Sequence, residues 1–85
     1  MQDAARVERI KKMEEIFDAL LEAVEMGPHA IAQKTGILSE LVDYYEGGQW
    51  LADYYADERG EIPKDLKRGV LSQDGVYNLL AMISS

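Results

Sequence analysis

The stretch AARVERIKKMEEIFDALLEAVEM, residues 4–26, decides the fold. Val7, Ile10, Met13, Phe17, Leu20 and Val24 follow one another at spacings of three and four, and Ile16 and Leu21 widen the stripe. Asp3 is placed to act as N-cap or first-turn acid, and Gly27-Pro28 is a firm stop. The pattern predicts one long amphipathic helix over 4–26. Glu8 and Lys12 form an acid-before-base pair one turn apart, and Arg9 and Lys11 mark the solvated side. Three heptads of this kind also suit a coiled-coil seam, but the rest of the chain carries apolar patterning of its own against which the stripe can pack.

Working outward, a second helical pattern runs from about residue 30 to 46, weakened near Thr35-Gly36 and ended by Gly47-Gly48. Ile37, Leu38, Leu41, Val42 and Tyr45 share one side of it. A third helix is expected over about 49–58, offering Trp50, Leu51, Tyr54 and Tyr55. The connecting stretch ERGEIPKDLKRG is punctuated by Gly60, Pro63 and Gly69, with Leu66 as its anchor. Ser72 reads as the N-cap of a last helix over 73–83, with Asp74 in its first turn and Val76, Leu79, Leu80 and Ile83 inward. No segment alternates apolar and polar residues as a strand does. The expected fold is all-α: a small three- to four-helix bundle with a long N-terminal helix, residues 1–85 forming a single helical domain.

The totals fit that class. The chain is 47% hydrophobic and 29% charged, a composition that folds rather than staying disordered. It has no cysteine, which excludes disulfides, thiolate metal sites and thiol nucleophiles. The apolar runs fall far short of the ~20 residues that span a bilayer, and the N-terminus has no signal-peptide pattern, so a cytoplasmic location is expected. The net charge of −7 is concentrated: residues 36–62 hold seven acids against Arg59 alone. An acidic middle argues against direct binding of nucleic acid or of an anionic membrane, both of which need Lys and Arg.

Within that middle lies VDYYEGGQWLADYY at 42–55, four tyrosines and the only tryptophan interleaved with acids. Trp50 is expected as the largest core side chain, joined by Tyr45 and Tyr54. Neighbouring helical residues differ by about 100° in direction, so one member of each tyrosine pair is partly exposed. The run YYEGGQWLADY at 44–54, followed by PKDLKRGVLSQDGVYNLL at 63–80, resembles a small bacterial family catalogued as domain of unknown function 4298. The resemblance covers about residues 37–81, and LKRGVLS at 66–72 is its most specific part. It implies a short, cytosolic, mainly helical bacterial protein and supplies no activity. It also implies acids at the positions of Tyr55 and Gln73, where this chain has none.

The constellations of catalysis are missing. One histidine, His29, follows a turn, and Ser39 and Ser72 sit at helix starts where capping explains them. Lys67 and Arg68 are expected to pair with the acids of 53–61. The leading reading is a non-enzymatic protein-interaction module that needs no cofactor or metal. Its contact face comprises Asp43, Tyr44, Asp53, Tyr55, Asp57 and Glu58, because tyrosine beside acids suits a protein interface. One alternative is an acidic mimic of nucleic-acid phosphates that blocks a nucleic-acid-handling protein. Another is a carboxylate-metal hydrolase centred on Asp53, Asp57 and Glu61. A homodimer through the N-terminal helix is also expected, if short neighbours leave part of its wide stripe uncovered.

Overall fold

The 3.6-residue period of the N-terminal stripe is realised without interruption. In the computed structural model, which describes residues 4–72 and 74–84, Ala4–Met26 is one helix of 23 residues, α1. Asp3, expected as the cap of this helix, and Gln73 lie outside the described residues. Ile10, Met13, Ile16, Phe17, Leu20 and Ala23 turn inward, and Leu21 and Val24 pack at the edge of the same core. Most of the stripe is thus packed within the chain, including Ile16 on the widened side, while Val7 stays half-buried outside the core cluster.

The single helix expected over 30–46 is two. Pro28–Ala32 forms α2 and Thr35–Glu46 forms α3. Between them the N–H groups of Gln33 and Lys34 bond to the carbonyls of Ala30 and Ile31, three residues back, which closes a turn instead of propagating the helix. Gly36, in the first turn of α3, has little helix preference of its own and leaves the break in place. Gln49–Glu58 forms α4 as the sequence predicts. Gly48 makes the corner between α3 and α4 at φ 96°, a left-handed conformation that a side chain would strain.

After α4 the chain crosses a loop whose deepest residue is Ile62, with the expected anchor Leu66 only half-buried. A 3₁₀ turn comes next at Gly69–Leu71, and Gly75–Ser84 forms α5. The last helix starts at Gly75, and the Ser72 hydroxyl, expected as its cap, donates to the Gly69 carbonyl at 2.8 Å. The Asp74 carbonyl instead receives the Asn78 N–H at 2.9 Å, which marks the boundary. Val76 and Leu79 are buried, and Leu80 and Ile83 flank them. With 79% helix and no strand among the described residues, the fold is an all-α bundle. It is elongated, 43 × 18 × 17 Å, because α1 sets its length. Among the described residues no helix is long and apolar enough to cross a membrane.

Candidate interaction site

The acid-aromatic segment divides at α4 into an inner and an outer face. Asp53 follows Trp50 by three residues and precedes Ala56 by three, and all three are buried. At 0% exposure, the Asp53 carboxylate sits against the first two turns of α1. Arg6 donates through Nε at 3.0 Å, and Arg9 donates through Nε at 2.9 Å and Nη2 at 2.5 Å. The Tyr44 hydroxyl, from α3, completes the set at 2.7 Å. Four donors match the roughly four lone-pair sites of a carboxylate, so a charge that would be costly to bury is fully satisfied. Burial first, and then the bond to Asp53, hold the Tyr44 hydroxyl well above the usual phenol range.

Asp53 and Tyr44 therefore do not belong to the exposed contact face expected from the sequence. Trp50 is the largest side chain of the buried core, as expected, and Tyr44 is the largest of those that are fully buried. The physical reason is that Arg6 and Arg9 cross from α1 and supply the partners that make an interior Asp tolerable. Arg9, expected on the solvated side, points inward. The missed signal lies in register: Arg6 precedes Ile10 by four residues and Arg9 precedes Met13 by four, so both extend the core-facing rows.

A second interior bridge explains the LKRGVLS segment. The Val70 N–H donates to Glu14 Oε1 at 2.8 Å, and the Trp50 indole N–H donates to the Val70 carbonyl at 2.8 Å. One residue of the 3₁₀ turn is thereby tied to α1 on one side and α4 on the other. Glu14 is buried, and it too stands on the core row, four residues after Ile10. Gly75 lets this layer close: a Cβ there would lie 3.0 Å from the Gly69 carbonyl oxygen and 3.3 Å from the Phe17 ring.

The aromatic rings form a line from this interior to the surface. Tyr45 meets Trp50 edge-on at 5.0 Å, Trp50 stacks on Tyr54 at 5.2 Å, and Tyr54 meets Tyr55 edge-on at 5.8 Å. Tyr45 and Tyr54 are half-buried beside Trp50, as the sequence predicts. The Glu58 carboxylate beside the Tyr54 hydroxyl raises the tyrosine above its ordinary pKa. On the outer face Leu51 and Tyr55, one turn apart, are 45% and 49% exposed. Glu58 is exposed next along that row, and Asp43 is exposed on α3. Of the expected contact residues, the structure leaves Asp43, Tyr55 and Glu58 on the outside, with Asp57 half-buried.

Most of the central acids have basic partners. Arg68 pairs with Asp57, and Glu61 accepts from Arg59 at 2.6 Å, with Arg6 at 3.7 Å. The Arg59 guanidinium holds the Glu61 carboxyl below its usual range. Lys12 reaches Glu40 at 3.0 Å rather than Glu8, and Lys67 reaches Asp18 at 3.1 Å rather than the acids of 53–61. Arg6 thus lies between Asp53 and Glu61, Asp57 turns to Arg68, and each of the three carboxylates is already paired with a guanidinium group. Among the described residues no group of three or more His, Asp or Glu could hold a metal ion. The phosphate-mimic reading also loses ground, because Glu40, Asp53, Asp57 and Glu61, four of the seven central acids, are spent on bases of the same chain.

Comparison with curated proteins and with solved structures gives no match. A family model does match, over residues 10–84, and so takes in Glu14, Tyr44, Trp50, Asp53 and Val70 while starting just after Arg9. A match over most of the length shows that this chain belongs to the family described as Domain of unknown function (DUF4298).

Proposed function

We propose that this protein is a non-enzymatic interaction module of the bacterial cytoplasm whose contact surface is the outer face of α4. The observation that carries the reading is the exposure of Leu51 and Tyr55, 45% and 49%, on one helical row that continues to Glu58. The other rings of the segment are drawn into the core, so these two are what the α4 surface offers. An exposed tyrosine beside an aliphatic residue gives a partner an apolar anchor at small entropic cost, and interface centres are enriched in such rings. Glu58 and Asp43 favour a partner with a basic rim, whose approach they would steer.

The test is capture from an extract of the source cells by the immobilised full chain, repeated with Tyr55→Ala and Leu51→Asp. A partner held through this face is retained by the unaltered chain and lost by both variants, while circular dichroism shows that both remain helical. A partner retained equally by all three proteins contradicts the assignment.

A further inference from the structure

The acids that internal pairing leaves over stand at the two ends of the α4 face. Of the seven in 36–62, Asp43, Glu46 and Glu58 pair with no base among the described residues, and all three are exposed. Asp43 and Glu46 occupy the last turn of α3, and Glu58 ends α4. Neither helix has an acid in its first turn or a base in its last. That order opposes the helix dipole, whose negative carbonyl end favours bases and disfavours acids. The three acids therefore cost the free protein stability, which cations brought from outside would restore. Gly47-Gly48 joins α3 to α4, so Glu46 stands at the head of α4 and Glu58 at its tail, ~15–20 Å apart along a ten-residue helix. Leu51, Ala52 and Tyr55 are exposed between them.

Charge selects the occupant. The neighbouring bases are turned elsewhere: Arg59 to Glu61 and Arg68 to Asp57, while exposed Lys64 pairs with none of the three acids. A second copy would set these acids against themselves, and it has few bases to offer, since seven of its nine already pair within the chain. Nucleic acid and anionic lipid are repelled by the same charges. Resting on the reading of α4 as a contact surface, we propose that its occupant is a partner segment of basic–apolar–basic pattern. One base meets Glu46 with Asp43 behind it, the other meets Glu58, and the apolar residue between them lies on Leu51 and Tyr55. The acids supply the on-rate and the orientation, and the apolar contact supplies the hold.

The probe is a fluorescein-labelled helical peptide of about twelve residues, with arginine at both ends and leucine at its centre. Anisotropy titration with the full chain is expected to give a dissociation constant of about 10–100 µM in ~0.05 M NaCl, about tenfold weaker at ~0.5 M. Glu46→Gln and Glu58→Gln should each weaken binding about threefold or more, and a probe with glutamine for both arginines about tenfold. Glu46→Gln should at the same time raise the melting temperature of the free protein by about 1–3 °C, which a residue serving the fold would not do. An arginine probe that does not bind, or binds both glutamine variants as well as the unaltered chain, overturns the proposal, and so does a lowered melting temperature for Glu46→Gln. Equal binding of the arginine and glutamine probes, lost with Tyr55→Ala, overturns it while leaving the α4 contact surface standing. Arginine-probe binding that Glu46→Gln weakens and that Tyr55→Ala and Leu51→Asp leave unchanged contradicts the α4 surface itself.

Discussion

Asp53 takes four hydrogen bonds in a place where an outward-facing helical acid would have water, and Tyr44 is the member of that set that titrates most informatively. Its hydroxyl is held neutral by burial and by the neighbouring carboxylate. A phenol whose pKa is raised by folding contributes stability that is fully present below its unfolded value, about 10, and is lost as pH rises beyond it, because the unfolded chain releases the proton first. The melting temperature should therefore fall between pH ~9 and ~11.5, and Tyr44→Phe should start lower but fall less steeply. Parallel declines in the two proteins would show that the Tyr44 proton is not what the fold protects. Lys67, raised by Asp18, adds an alkaline loss of the same sign to both proteins and does not affect the difference.

At the scale of elements, the 3₁₀ turn at Gly69–Leu71 is held less by its own short hydrogen-bond pattern than by the backbone of Val70, gripped from α1 by Glu14 and from α4 by Trp50. Glu14→Ala leaves the buried Val70 N–H without its acceptor and should cost about 1–3 kcal/mol in urea unfolding. Glu14→Gln keeps an oxygen in place and should retain most of that stability, with Val70 amide exchange fast in the first variant and slow in the second. Equal losses in both would mean that the carboxylate acts through charge and not as an acceptor. The helices that make this bridge were legible because hydrophobic period and Gly-Pro punctuation act locally: α1 and α4 run where the pattern places them. The bridge itself was not, since it joins residues 56 apart in sequence through a backbone group. Charged residues on core rows, Arg6, Arg9 and Glu14, were the available sign that polar groups would meet inside. Reading Arg9 by its charge instead of its register hid it. The break between α2 and α3 likewise depends on a turn of backbone bonds that Thr35-Gly36 only hints at.

Over the whole molecule, α1 is the common wall: its first turns hold Asp53, its middle holds the 3₁₀ turn and its end meets α2 and α5. The sequence showed an excess of acid at 36–62, whereas the structure consumes much of it internally, leaving an α4 surface of Leu51, Tyr55 and Glu58. Which acids are spent could not be read from counts, because their partners come from α1 and from the 59–68 loop. The central claim is that the acid-aromatic segment is divided, one face of α4 holding the fold and the other exposed, where the proposed contact lies. Urea unfolding followed by the fluorescence of Trp50, the single tryptophan, measures this division when Asp53→Asn is compared with Tyr55→Ala. Asp53→Asn strips the charge that two guanidinium groups and a tyrosine are built around and should cost about 3–5 kcal/mol. Tyr55→Ala gives up only an exposed ring at the end of the aromatic line and should cost about 1 kcal/mol or less. An Asp53→Asn protein as stable as the unaltered chain, or a Tyr55→Ala protein destabilised as severely as Asp53→Asn is expected to be, would contradict it.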